Sequence, residues 1–115
     1  MIATSNPEIL EANGVTLNVA TGEVISDGVP VHLSTIERDI LECLMRLAGQ
    51  LVTKEALERH LAERDVNAPG GELDLHVNTL RQKLERGRRL LRQVAGTGYV
   101  FERASENGAS EYRLA

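Results

Sequence analysis

The chain is poor in aromatic residues. Tryptophan is absent, and among 115 residues the only aromatic side chains are Tyr99, Phe101 and Tyr112. Aliphatic residues must therefore supply most of the core, and a hydrophobic content of 42% is enough for one compact domain. We expect a core built mainly from Leu, Val and Ile.

Cysteine is scarcer still. The single Cys43 cannot form an internal disulfide, and its position within an aliphatic stretch predicts a buried thiol. Neither His32 nor His60 stands at a metal-ligand spacing from Cys43. We therefore expect no metal site and no cofactor.

Long hydrophobic runs are missing as well. No run of about 18 apolar residues is present to span a bilayer, and the N-terminus lacks the basic start and apolar stretch of a signal peptide. These absences predict a soluble, cytoplasmic protein without a membrane partner.

Positive charge is concentrated in one part of the chain. The net charge is −4, which argues against a polyanionic partner when it is considered alone. Residues 72–103, however, hold seven basic and four acidic side chains, whereas residues 1–71 hold five basic and eleven acidic ones. A polyanion would therefore meet its complementary charge in residues 72–103.

The first third of the chain reads as a small antiparallel sheet. Residues 8–33 alternate short apolar runs with turn residues, and Asn13-Gly14 and Asp27-Gly28 favour type I′ hairpin turns, in which both central residues need positive φ. We expect three or four strands. Residues 1–7 are expected to be disordered.

Helical periodicity begins after this sheet. Ser34 and Glu37 have the spacing of a capping box, which predicts a first helix over residues 35–47. Its apolar stripe contains Ile36, Ile40, Leu41, Leu44 and Leu47. A second helix over 54–62 has Thr53 as its expected N-cap and Leu57 and Leu61 facing inward. Residues 62–71 contain Pro69 and a Gly pair and are expected to form a loop.

A third helix is predicted over residues 72–86, with Gly87 ending it. Leu73, Val77, Leu80 and Leu84 lie within a narrow arc of a 3.6-residue wheel and predict the core face. The opposite face carries Leu75, Asn78 and Gln82, with Thr79, Arg81 and Arg86 on its flanks.

The segment VAGTGYVF, Val94–Phe101, has two interpretations. Its Gly-x-Gly is compatible with a phosphate-binding loop or with a hairpin turn. A phosphate loop needs a strand before the glycines and a helix after them, whereas β-prone residues lie on both sides here. A hairpin over residues 90–102 is therefore favoured. The remaining residues 104–115 are expected to form a polar tail, or to add a short strand through Tyr112–Leu114.

Candidate chemical residues have structural interpretations. His76 lies beside the core stripe, and Asp74 lies in a first helical turn, where the helix dipole stabilises a carboxylate. No nucleophile or acid–base pair accompanies them, so an enzyme is not expected. A set of acidic residues on the first two helices and the following loop is expected to be a solvated surface or, alternatively, a contact surface for RNA polymerase or a receiver domain: Glu37, Asp39, Glu42, Glu55, Glu58, Glu63 and Asp65.

The order of sheet, three helices and hairpin, together with D-x-H-V-x-x-L-R-x-K-L in the third helix and G-T-G-Y in the hairpin, resembles the OmpR/PhoB-type DNA-binding effector domain of bacterial two-component response regulators. The resemblance covers roughly residues 9–102 and implies an α+β winged helix-turn-helix. It implies sequence-specific double-stranded DNA binding for transcriptional regulation, with Leu73–Arg86 as the recognition helix and the hairpin as the wing. The alternative is a degenerate winged helix that acts mainly as a protein-interaction module.

The resemblance and the helical wheel together assign candidate DNA contacts. Base contacts are expected from Leu75, Asn78, Thr79 and Gln82. Phosphate contacts are expected from Arg81, Lys83, Arg86, Arg88, Arg89 and Arg92. The wing residues are Gln93, Ala95, Gly96, Thr97, Gly98 and Tyr99.

Two positions of the wing differ from the family pattern. Ala95 and Val100 stand where many members of the family have basic residues. The family also suggests RNA polymerase as a partner of the 62–71 loop and a receiver domain as a neighbour in a longer chain. Because the residues before Glu8 are too few for a receiver, the chain is expected to be an excised C-terminal domain or a standalone effector.

Overall fold

A computed structural model of the chain describes residues 8–64, 72–85 and 89–103. Four sequence-based expectations lie wholly or partly outside these ranges. They concern the disordered residues 1–7, most of the 62–71 loop, Arg86 to Arg88 in the basic connector, and the tail 104–115 with its alternative strand.

The N-terminal sheet has four antiparallel strands, in the order β1 (Ile9–Ala12), β2 (Val15–Asn18), β3 (Val24–Ser26) and β4 (Val29–Val31). Asn13 and Gly14 have φ angles of 50° and 82°, and Asp27 and Gly28 have 50° and 83°. Both hairpin turns were thus predicted correctly, because positive φ at two successive residues is the condition that these dipeptides satisfy.

Helix α1 spans Thr35–Arg46 and begins with the predicted capping box, in which Ser34 and Glu37 bond to each other's backbone N–H groups. It ends one residue earlier than expected. Leu47 is the C-cap, has left the helical conformation and is 39% exposed. Its inclusion in the buried stripe was therefore wrong.

Strand β5 (Leu51–Thr53) was not predicted. Its last residue, Thr53, is also the N-cap of helix α2 (Lys54–Glu63), where its side chain accepts a hydrogen bond from the backbone N–H of Ala56. As expected, α2 buries Leu57 and Leu61.

Helix α3 spans Leu73–Leu84 and is shorter than the predicted 72–86. Glu85 is already extended, with ψ of 124°. Its carboxylate accepts hydrogen bonds from the backbone N–H groups of Leu90 and Leu91, at 2.9 and 3.0 Å, which hold the start of the next strand close to the helix end. The Ser26 hydroxyl donates to the Leu84 carbonyl at 3.1 Å and so caps the helix from the N-terminal sheet.

The C-terminal hairpin consists of β6 (Leu91–Val94) and β7 (Gly98–Phe101), and β5 pairs with the other edge of β7. The hairpin interpretation of VAGTGYVF is confirmed, since the residues on both sides of the glycines form antiparallel strands. Four-stranded sheet, three helices and hairpin make the α+β winged-helix architecture that was predicted.

The core lies between α1, the helices α2 and α3, and the inner faces of both sheets. Leucine dominates it, and Tyr99 and Phe101 are its two aromatic members, at 1% and 0% exposure. Cys43 is buried as expected, and this burial raises the pKa of its thiol. Among the described residues, none of the helices has the length and apolar character needed to cross a membrane.

Three members of the acidic set are buried, so the expectation of a wholly solvated surface was wrong for Glu37, Asp39 and Glu42. Glu42 shows how a carboxylate is accommodated there: Arg46 and Arg64 each donate to its Oε2 at 2.9 Å. Buried carboxylates need such partners because desolvation of a charge is costly. The remaining members in the described ranges are at least partly exposed: Glu55, Glu58 and Glu63. Asp65 lies outside those ranges.

Candidate nucleic-acid interface

Helix α3 packs against the domain with one face and exposes the opposite face to solvent. Leu73, Val77, Leu80 and Leu84 are each at most 1% exposed, as the helical wheel predicts. Asn78 and Gln82, on the opposite face, are exposed. The helix therefore offers a rigidly mounted polar surface of a size that fits a major groove.

Leu75 is the most exposed large hydrophobic side chain among the described residues, at 62%. Its neighbour one turn later is Thr79, whose hydroxyl donates a hydrogen bond to the Leu75 carbonyl at 3.0 Å. The hydroxyl proton of Thr79 is thus engaged in a hydrogen bond to the backbone of its own helix.

Arg81 lies on the flank of this surface and is joined to it. Its Nη1 donates to Oδ1 of Asn78 at 3.1 Å, a pairing of residues three apart on one helix. The Arg81 Nε is buried and has no hydrogen-bond partner. The contact orients the amide of Asn78, since the oxygen must face the guanidinium.

Lys83 is partly exposed, and its ammonium is paired with a carboxylate of α1. Its Nζ lies 2.8 Å from Oε1 of Glu37, the buried residue that also closes the capping box of α1. Burial alone would raise the pKa of Glu37, but hydrogen bonds from Lys83 and Ser34 together lower that pKa below its usual value. Among the predicted phosphate-contact residues that the structure describes, Lys83 is therefore the one bound to a buried carboxylate.

Lys54 was not among the sequence-based candidates, yet the fold brings it to the beginning of α3. Its Nζ lies 3.1 Å from Oδ2 of Asp74, and its backbone N–H donates to the Thr97 carbonyl in the turn of the hairpin. The first turn of α2 is thereby tied to both α3 and the hairpin. No sequence spacing indicates this, because the three elements meet only in the folded domain. His76 is also near this end of α3, and its Nε2 lies 3.7 Å from Oε1 of Glu72.

A basic cleft follows the C-terminal end of α3. Arg81, Arg89 and Arg92 line it together with Glu85 and Gln93. Arg89 is exposed, and the Arg92 Nε donates to Glu102 at 2.8 Å across the hairpin. The structure thus brings three of the six predicted phosphate-contact residues together. Arg86 and Arg88 lie outside the described residues.

The turn of the hairpin is formed by Ala95, Gly96 and Thr97, which are all exposed. Gly96 has a φ of 71°, a conformation that glycine adopts without strain. Gly98 and Tyr99 are also in the predicted wing but are buried in β7. Gly98 is required for a different reason from Gly96: a Cβ there would overlap the Val52 carbonyl oxygen of the neighbouring strand. Val100, the second wing position that differs from the family pattern, is buried as well.

Comparison with known proteins gives the architecture a family. Residues 28–101 match the family described as "Transcriptional regulatory protein, C terminal". The chain is 32% identical over 93 residues to the transcriptional regulatory protein QseB of Haemophilus influenzae, covering 81% of this chain and 41% of that protein. It therefore spans less than half the length of this curated relative.

Solved structures show the same arrangement. The DNA-binding domain of CpxR from E. coli superposes with a TM-score of 0.70 at 28% identity, covering 84% of this chain and 98% of that one. The RstA DNA-binding domain of Klebsiella pneumoniae, solved in complex with the RstA box, has a TM-score of 0.69 at 28% identity and covers 83% and 97%. The chain belongs to the OmpR/PhoB-type family of winged-helix domains found at the C-terminus of transcriptional regulatory proteins.

Proposed function

We propose that this domain binds double-stranded DNA sequence-specifically and regulates transcription as the output domain of a two-component-type regulator. The observation that carries the proposal is the exposed face of α3, which presents Leu75, Asn78 and Gln82 opposite a fully buried stripe. The DNA complex of the related RstA domain supports the same use of this fold.

Base contacts are assigned to the exposed face and phosphate contacts to its surroundings. The amides of Asn78 and Gln82 match the donor and acceptor on the major-groove edge of adenine. Arg89 and Arg92 lie beside the end of α3, where the phosphate backbone bordering the major groove would pass. Their contacts to phosphates would supply affinity that does not depend on sequence. Lys83 is assigned to positioning, because its ammonium is bound to Glu37.

The wing contributes backbone and shape rather than charge. The exposed turn Ala95 to Thr97 is held against α2 through Lys54, so it projects from the same side of the domain as the start of α3. Without a long cation at Ala95, the turn cannot place a positive charge in the minor groove. The affinity of the isolated domain for DNA is therefore expected to depend mainly on α3 and the basic cleft.

Two partners other than DNA are proposed, one from the length of the relatives and one from the family resemblance. Since related regulators are more than twice as long as the matched region, a receiver domain is proposed as the neighbour of this domain in a longer regulator. RNA polymerase is proposed as a partner of the 62–71 loop, most of which lies outside the described residues. The proposal includes a cytoplasmic location and no catalytic activity.

An interaction module that has lost DNA binding is the second candidate. Its specific support is that Lys83 and Arg92 already have carboxylate partners, Glu37 and Glu102, while Ala95 is uncharged. The free basic charge is therefore smaller than the sequence count suggests.

Titration of duplex DNA at two salt concentrations separates the two candidates. If Arg81, Arg89 and Arg92 each neutralise one phosphate, the slope of log K against log salt is expected to be about −2.7 or steeper. Amide shift changes on adding DNA should then concentrate in residues 73–85 and 89–97. Weak binding with a slope near zero, or shifts confined to residues 37–64, would favour the interaction module.

A further inference from the structure

We propose that Leu75 and Thr79 form an apolar step on α3 that reads the 5-methyl groups of thymine. This inference rests on the proposed DNA-binding function and specifies its substrate: duplexes with thymines close together in the half-site. In this proposal Thr79 contacts the base through its methyl group. A threonine could equally well bond to a base through its hydroxyl, so the residue type alone does not decide between the two.

The hydrogen bond within the helix determines which part of Thr79 is available. Its hydroxyl donates its only proton to the Leu75 carbonyl at 3.0 Å. A hydrogen-bond acceptor on a base would have to compete with the Leu75 carbonyl for this proton. The γ-methyl group takes no part in that hydrogen bond. Leu75 lies one turn earlier on the same side, with 62% of its surface exposed.

In the described residues of α3, the centre of the exposed face has no Arg or Lys to contact guanine. The commonest specific contact to guanine is a bidentate Arg or Lys. Within α3, the ammonium of Lys83 is bound to Glu37, and Arg81 lies on the flank of the exposed face, where it donates one N–H to Asn78 and is assigned to phosphate. The centre of the exposed face therefore offers methyl groups for thymine and amides for adenine.

Helix geometry limits the spacing of the thymines. One helical turn rises about 5.4 Å, which is about 1.6 times the rise of a base pair. The methyl groups contacted by Leu75 and Thr79 are therefore expected on adjacent base pairs, or on base pairs separated by one.

The experiment begins by selecting preferred duplexes from a random library with the unaltered chain. Each thymine of the selected site is then replaced by deoxyuridine, which keeps the base pairing and removes the 5-methyl group. Burial of one methyl group corresponds to about a fourfold change in affinity. The Kd is expected to rise about fourfold at each of two positions with the predicted spacing, and to stay unchanged at the others.

Variants connect each methyl group to a side chain. Leu75→Ala should bind thymine and deoxyuridine equally at one of these positions. Thr79→Ser retains a hydroxyl for the bond to Leu75 and loses the methyl group, so it should lose the discrimination at the other position. Thr79→Val retains a methyl group and loses the hydroxyl, so it should keep that discrimination. Circular dichroism of each variant checks that the fold is unchanged.

Opposite results would overturn the proposal. If no deoxyuridine substitution changes the Kd of the unaltered chain, the methyl groups are not read, although DNA binding itself stands. If Thr79→Val loses the discrimination and Thr79→Ser keeps it, the methyl group of Thr79 does not read thymine. A selection that enriches no duplex would refute the proposed function, and this inference with it.

Discussion

Replacing Lys83 with methionine is expected to loosen the attachment of α3 to α1. The ammonium lies 2.8 Å from Oε1 of Glu37, whose side chain is only 6% exposed. Methionine keeps the apolar stem of the side chain and removes the charge. The Glu37 carboxylate would then remain buried with the Ser34 N–H as its remaining partner in the described contacts.

The size of the effect follows from the exposure of the two partners. Removing one member of a fully buried ion pair costs about 3–5 kcal/mol. Here the Lys83 side chain is 39% exposed and Ser34 still donates to Glu37, so water and one hydrogen bond reduce the loss. We expect a decrease in the free energy of unfolding of about 1–2 kcal/mol. For a domain of this size that corresponds to a decrease in Tm of about 5–10 °C.

Urea unfolding at pH 7 measures this loss directly. Gln82→Met is the matched control, since it introduces the same residue at the adjacent, exposed position and should change stability by less than about 0.5 kcal/mol. Glu37→Gln and the double variant complete a double-mutant cycle, in which the two single losses should not add. If Lys83→Met is as stable as Gln82→Met, the ion pair does not hold α3.

The pH dependence supplies an independent check. Because the pKa of Glu37 is lower in the folded domain than in the unfolded chain, the stabilisation is complete above the usual glutamate value of 4.5 and is lost as the pH falls through the folded pKa. The difference between the unaltered chain and Lys83→Met should therefore shrink below pH 4.5. On DNA, Lys83→Met should leave the salt slope unchanged. A slope shallower by about one unit would show that Lys83 contacts phosphate after all.

Further variants test the assigned roles. Asn78→Ala should relax preference at one base position by roughly 1–3 kcal/mol, whereas Arg92→Ala should weaken binding to all sequences and lower the salt slope by about one unit, as measured on a panel of duplexes. Ala95→Arg should tighten binding and steepen the salt slope by about one unit, with stability changed by less than about 0.5 kcal/mol; an unchanged slope would mean that the turn does not approach DNA. Gly98→Ala should lower Tm more than Gly96→Ala, because a Cβ at Gly98 overlaps the backbone of β5 while the space around Gly96 is open; equal losses in thermal unfolding would contradict the steric explanation.

Local chemistry explains what could be predicted from the sequence. The Asn-Gly and Asp-Gly turns, the capping box at Ser34 and the core face of α3 depend on residues at most a few helical turns apart. Each has a pattern that one segment is sufficient to display. The family resemblance added the order of elements and the exposed face of α3 as a candidate DNA surface.

Tertiary structure decided the features that depend on contacts between distant segments. Strand β5 is three residues long, too short for a periodic signal, and exists because β7 offers it an edge. The direction of Lys83 depends on Glu37, 46 residues earlier, and the end of α3 depends on backbone N–H groups beyond the connector. The sequence shows the same residue type whether a charged side chain lies on the surface or in a buried ion pair. Only the fold determines whether it meets solvent, a phosphate or another residue.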